Sequence, residues 1–212
     1  MILVDDASKD GTVDLARRLD LTLVVHESNK GYGANQKTCY REALTEGATI
    51  IVMVHPDNQY DPKLLPDMIG PIEAGQADVA LGSRMMGVAA YRQGMPWWKY
   101  LGNKLLTAIE NYVFGMNLSE YHTGYRAYNR DVLEHVEFER NSDDFVFDQE
   151  IIVQIVERAY RIAEVAVPVR YFAEASSVGL AGSFLYGTKI IALLCRFLWQ
   201  RRRVGNHSCI KR

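Results

Sequence analysis

The chain has 212 residues, 48% of them hydrophobic and 24% charged, with a formal net charge of -2. Such values describe a soluble globular protein of about one large domain, and the near-neutral balance excludes a generally basic nucleic-acid binder. Cys39, Cys195 and Cys209 are too few and too widely spaced for a disulfide framework or a zinc site, which points to a reducing compartment; Cys39 and Cys195 read as buried small apolar residues.

Met1 leads straight into Ile2-Leu3-Val4 with no basic segment before it, so no signal peptide is expected. Ile2 to Val4 reads as a strand apolar enough to lie inside a sheet, followed by a loop from Asp5 to Gly11. Thr12 to Leu19 predicts a helix with Val13, Leu15, Ala16 and Leu19 on one face. Leu23 to His26 reads as a strand, Asn29 to Gly33 as a loop, and Ala34 to Glu46 as a helix stopped by Gly47. Thr49 to Val54 is a strand, Pro62 to Glu73 a helix and Asp78 to Leu81 a strand. This βαβαβαβ order predicts an α/β fold, a mostly parallel sheet with helices on both faces. Further on, Trp97 to Phe114 predicts a long amphipathic helix, Thr123 to Tyr128 a short strand and Phe147 to Arg158 a helix. Ile162 to Tyr171 is a strand that Pro168 confines to an edge or a bulge, and Ser183 to Arg203 is a last helix. Residues 1–182 read as one domain, with a basic amphipathic helix and tail over 183–212.

The apolar run ending at Val54 stops abruptly at His55-Pro56-Asp57-Asn58-Gln59-Tyr60-Asp61-Pro62, as a buried parallel strand does where it ends at a site. If the backbone stays extended, period two turns His55, Asp57 and Gln59 the same way. An imidazole, a carboxylate and an amide oxygen could together hold a divalent metal, where open α/β sheets bind ligands. The segment reads equally as a polar turn, with Asp57 and Asn58 as turn formers and Pro62 starting a helix.

Other motifs also admit two readings. Asp5 and Asp6 suit hydrogen bonds to a base or ribose, or turn and capping roles. Asn29-Lys30-Gly31-Tyr32-Gly33 is neither a dinucleotide fingerprint, because Gln36 stands at the third glycine, nor a P-loop. A lysine before a glycine at a helix start can still meet an anion. Arg84 in Gly82-Ser83-Arg84 and Arg126 in Thr123-Gly124-Tyr125-Arg126 offer planar forks for phosphate, or surface ion pairs. Asp148 and Glu150 read as first-turn residues of a helix. One of them could instead be a general base, desolvated beside Phe145 and Phe147.

From Ile2 to about Ser177 these motifs, with Gly102-Asn103-Lys104 and Ser119-Glu120-Tyr121-His122, fall in the order seen in one family. The chain resembles the family-2 glycosyltransferases of GT-A fold, most of all the branch with dolichol-phosphate mannose synthases and bacterial polyprenyl-phosphate or cell-surface glycosyltransferases. The resemblance implies an inverting transfer from a UDP- or GDP-sugar to a lipid-phosphate or glycan acceptor, with a divalent cation, Mn2+ or Mg2+. Asp5, Asp6, Lys30, Gly31 and Asp57 would bind the donor. Asp57 and Gln59, with His55, would hold the metal, and Arg84 and Arg126 would face phosphates. Asp148 or Glu120 would be the catalytic base, which an acceptor that is itself a phosphate does not need.

Two departures stand out. His55 replaces the first aspartate of the Asp-x-Asp metal motif, and because manganese accepts nitrogen more readily than magnesium does, manganese is expected to support activity better. The family's usual opening strand is lacking, which is expected to leave strand edges unpaired. The alternative function is therefore a non-catalytic or incomplete sugar-nucleotide-binding scaffold. The last helix, ending in Arg201-Arg202-Arg203, suits a membrane interface or packing on the domain or on a second subunit of a homo-oligomer. Lys189 and Arg196 interrupt it too early for a spanning helix. A cytoplasmic place, peripheral to the inner face of the membrane, follows from these expectations.

Overall fold

Two hydrogen-bonded ladders form the sheet layer of the computed structural model, which describes residues 1–86, 94–168 and 179–208. Strand β1 (Ile2–Asp5) pairs in parallel with β2 (Thr22–Val25), with Ile2 opposite Thr22 and Asp5 opposite Val25. The second ladder runs in the order β3 (Ile50–Met53), β5 (Arg126–Asn129), β4 (Val79–Ser83), β6 (Ile162–Ala166). Only β5 runs against its neighbours; β4 and β6 are parallel, and β3 shares their direction. The expected mostly parallel sheet is present in this form. Among the described residues β1 and β3 each pair along one edge. The amides of Thr22 and His26 take the carbonyls of Met1 and Asp5, so the Val4 carbonyl points to the open side of β1. There it accepts from Asn35 Nδ2 at 3.0 Å, so a side chain satisfies the group a strand would otherwise pair.

Helices pack around these strands. α1 (Thr12–Ala16) is shorter than the predicted Thr12 to Leu19. Its apolar face is only partly covered: Ala16 is buried and Val13 half-buried, whereas Leu15 and Leu19 are exposed. α2 (Tyr32–Thr45) ends where Gly47 turns left-handed, φ 79°. α3 (Leu65–Glu73) follows a single 3-10 turn at Pro62–Leu64, capped by the Asp61 side chain, which accepts from Lys63 N at 3.0 Å. α4 (Trp97–Phe114) has its predicted limits. α5 (Arg130–His135), absent from the sequence reading, starts at Asn129, whose side chain accepts from the Asp131 amide. α6 (Phe147–Glu157) and α7 (Leu180–Ser208) complete the chain.

The main core joins Tyr40 of α2, Leu81 of β4, Tyr128 of β5, Ile151 of α6 and Phe197 of α7. Among the described residues β6 is an edge strand, as Pro168 implied, and the predicted strand beyond Pro168 lies outside the described residues. Cys39 is half-buried, and burial pushes its thiol up to about 11. Cys195, expected inside, is exposed because the buried face of α7 is formed by Ile190, Leu193, Leu194 and Phe197.

Candidate active site

The chain leaves β3 into a turn rather than an extended run. Asn58 is left-handed, φ 58°, and an Asp57 carboxylate oxygen accepts from the Gln59 amide at 3.1 Å. The two-residue alternation expected for His55, Asp57 and Gln59 therefore does not hold; the side chain of Asp57 closes the turn. His55 lies against Gly124, where a Cβ would overlap the imidazole ring. The glycine beside Arg126 thus makes room for His55. Burial pushes His55 below the usual imidazole range despite the opposing charges of Asp148 and Asp57, so the ring is neutral at pH 7 with a lone pair to offer.

Asp148, in the first turn of α6, meets this region from the far side of the chain. Its carboxylate accepts from the Tyr32 hydroxyl at 2.8 Å and from Gln36 Nε2 at 3.1 Å, two residues one turn apart on α2. The Tyr32 oxygen is also 3.1 Å from His55 Nε2. Arg126 stands behind, 3.8 Å from the carboxylate. It is fully buried, and its guanidinium donates to the carbonyls of Thr123 (2.7 Å), Tyr121 (2.9 Å) and Asp148 (3.0 Å). Burial opposes its charge, but Asp148 and nearby tyrosines raise it further above its usual range. Arg126 therefore braces Asp148 rather than presenting a fork to a ligand.

α2 is seated against the loop before α6. The Gly33 amide donates to the Asp143 carbonyl at 2.8 Å, and a Cβ on Gly31 would come within 2.6 Å of that same oxygen. Gly31 also has φ 99°, so both the conformation and the approach require glycine. Lys37 adds an ion pair with Asp143 at 2.7 Å.

The anion at the start of α2 belongs to the chain itself. The Asp6 carboxylate accepts from the amides of Lys30 and Gly31, both at 2.9 Å, and lies 2.7 Å from His26 Nδ1. His26 in turn reaches Thr38 Oγ1 at 3.0 Å. Burial opposes ionisation of Asp6, but the bonds from His26 and the two amides outweigh it and hold the carboxyl below its usual 3.8. Asp5 is buried, and its Oδ1 accepts from the Ser8 amide at 2.9 Å. A depressed folded-state pKa adds stability above the unfolded value, lost as pH falls through the folded one. Asp6→Asn is therefore expected to cost about 1–3 kcal/mol at neutral pH, with the difference from the parent closing below about pH 4. Urea titrations at several pH values measure this.

Glu120 occupies a separate cluster. It is fully buried, accepting from Arg84 N at 2.7 Å, Arg84 Nε at 2.8 Å and Asn103 Nδ2 at 2.7 Å, and pairs with Arg84 Nη2. Arg84 also donates to the His122 carbonyl at 2.6 Å. Burial works against the Glu120 charge, but Arg84 prevails and holds its carboxyl below the usual range. The two candidates Arg84 and Glu120 thus pair with each other, in a cluster separate from the one around Asp148. The structure brings together His55, Tyr32, Gln36, Asp148 and Arg126. Sequence reasoning missed Tyr32 and Gln36, although both stood in the glycine loop and at the position that disqualified it as a fingerprint.

Residues 1–137 match glycosyl transferase family 2. Polyprenol monophosphomannose synthase of Mycolicibacterium smegmatis is 28% identical over 174 residues, which are 79% of this chain and 65% of that protein. A low-salt glycan biosynthesis hexosyltransferase of Haloferax volcanii is 29% identical over 170 residues, 80% of this chain and 39% of its own. The chain thus spans less than two thirds of either relative. Glucosyl-3-phosphoglycerate synthase from Mycobacterium tuberculosis, solved with Mn2+, UDP-glucose and glycerol 3-phosphate, superposes with a TM-score of 0.66 at 18% identity, covering 92% of this chain and 68% of that one. That likeness shows a shared fold.

Proposed function

Because the chain belongs to glycosyl transferase family 2, we propose that it moves a sugar, with inversion, from a nucleotide-sugar donor to a polyprenyl-phosphate acceptor. The observation that carries this reading is the meeting of β3's carboxyl end with the first turns of α2 and α6, at His55, Tyr32 and Asp148. Ligands of open α/β sheets bind at such ends. The named relative that makes polyprenol monophosphomannose supports the acceptor, and the UDP-glucose complex of the structural neighbour supports a nucleotide-sugar donor.

The residues fit a divalent cation, manganese before magnesium. His55 is neutral, and Asp57 has one carboxylate oxygen outside its turn bond. Gln59 stays a candidate third ligand. Among the described residues no three His, Cys, Asp or Glu side chains converge, so donor diphosphate oxygens would complete the shell. A bound cation would stabilise charge growing on the leaving diphosphate. Asp5, with the loop that Asp6 ties to Lys30 and Gly31, would shape the base and ribose pocket. Arg84, fixed by Glu120, would shape the pocket wall on the acceptor side, and Arg126 would hold Asp148 in place.

A second reading is favoured by Asp148 itself. A phosphate acceptor arrives deprotonated, whereas a hydroxyl acceptor needs a base, and Asp148 is the carboxylate set at the site. For either acceptor, a membrane surface is the setting we propose, with the protein peripheral on the cytoplasmic face. On α4, Trp97, Leu101, Leu105 and Tyr112 are exposed along one helical stripe; on α7, Phe184, Ile191 and Trp199 are exposed ahead of Arg201-Arg202-Arg203. No helix among the described residues is long and apolar enough to cross a membrane.

Calorimetry with UDP and GDP and their sugar conjugates, with and without Mn2+, tests the reading. One nucleotide is expected to bind in a manganese-dependent manner, and Asp57→Ala is expected to abolish both that dependence and transfer to polyprenyl phosphate in vesicles. Binding without transfer would favour the sugar-nucleotide-binding scaffold, and no binding by either nucleotide would favour an incomplete or non-catalytic protein.

A further inference from the structure

A carboxylate can only accept hydrogen bonds, so the 2.8 Å contact between Tyr32 and Asp148 Oδ2 consumes the single hydroxyl proton of Tyr32. An ordinary phenol keeps that proton at neutral pH. The Tyr32 oxygen is left as an acceptor, facing His55 Nε2 at 3.1 Å. A neutral imidazole carries its one proton on one nitrogen, and the partner of the other decides which. A proton on Nδ1 would set the Nε2 lone pair against an oxygen with no proton to give.

We propose that Tyr32 is a positioning residue that fixes His55 as the Nε2–H tautomer, so that a directed chain runs from His55 Nε2–H to the Tyr32 oxygen and from the Tyr32 hydroxyl to Asp148, leaving Nδ1 as the lone-pair nitrogen offered to a divalent cation. The last clause rests on the reading of His55 as a metal ligand; the tautomer does not. Tyr32 is the hydrogen-bond partner of His55 among the described residues. The ring is held edge-on to Tyr32, centroids 5.5 Å apart at 81°, and to Tyr60 at 6.3 Å and 83°. Asp148, Asp57 and Arg126 are the charged groups acting on it. A metal-bound histidine that donates its other N–H to a fixed acceptor is better oriented and more basic.

Long-range 1H–15N spectra of the metal-free, histidine-labelled protein, assigned with His55→Gln and recorded where the imidazole is neutral, test the tautomer directly. The expected result is a proton-bearing Nε2 and a lone-pair Nδ1. Tyr32→Phe keeps the ring contacts, including that with Phe145 at 4.7 Å, and is expected to give a mixture of tautomers. Calorimetry with Mn2+ and UDP is expected to show manganese binding about 10- to 100-fold weaker in that variant. An Nδ1–H pattern in the parent, or an unchanged pattern in folded Tyr32→Phe, would overturn the assignment of Tyr32; if that variant does not fold, the parent spectrum decides. The expected tautomer with no manganese binding by the parent would overturn the cation clause and the metal reading together, and leave the role of Tyr32 intact.

Discussion

In Asp148→Asn, transfer to a hydroxyl acceptor is expected to fall about 100- to 10,000-fold in kcat, the usual contribution of a positioned base. Transfer to a polyprenyl phosphate should fall far less, because that nucleophile brings no proton to remove. The substitution keeps the size of the side chain and deletes its charge. Arg126 retains its three carbonyl partners, so the variant is expected to fold. Parallel assays with a polyprenyl phosphate and a glycan hydroxyl therefore report which acceptor the site serves. Unchanged hydroxyl transfer in a folded variant would remove Asp148 as base.

Arg84→Met is expected to destabilise the fold by about 3–5 kcal/mol, the range for breaking a buried ion pair from one side. In a domain of this size that lowers the thermal midpoint by roughly 10 °C. Glu120 has no solvent exposure, and would keep only Asn103 and one backbone amide against its charge. The sign with pH follows from the pairing. With Arg84 present the carboxyl is held below its usual 4.5, so its stabilisation is complete above that value and lost as pH falls. Without Arg84, burial pushes the carboxyl up, and protonation relieves the variant. The gap between parent and variant should therefore be widest near neutrality, begin to narrow above pH 4.5 as the variant's raised carboxyl takes up its proton, and narrow further below it as the parent loses its pairing. Thermal melts across that range check this, and a gap that stays constant would mean that Glu120 does not carry the charge.

What the sequence could and could not disclose follows from the range of the forces involved. The limits of α4 and the stop of α2 at Gly47 were legible because capping and periodicity act within a few residues. α1 was overextended because the apolar spacing of Leu15 and Leu19 implies a buried face, while burial depends on a partner that spacing cannot supply. α5, at six residues, is too short to show a period. Within the site, Asp148 and His55 stood out as chemical types at ends of elements. Tyr32 and Gln36 did not, since their bonds to Asp148 span 116 and 112 residues. Arg126 and Asp6 drew attention as charges that could meet a ligand, and each meets groups of this chain instead. No pattern in the sequence says which arginine will be fully enclosed.

The glycine contacts between α2 and the loop before α6 also bear on how such a site can change. With Gly31 and Gly33 pressed on Ser142 and Asp143, and Lys37 paired across them, the stretch that carries Tyr32 and the stretch that leads to Asp148 share one mould. A side chain added at Gly31 or Gly33 has no room unless the backbone at Ser142 and Asp143 yields. The segments 29–37 and 141–148 are therefore matched at Gly31 and Gly33, and a substitution of either glycine is filtered by fit before it is filtered by catalysis.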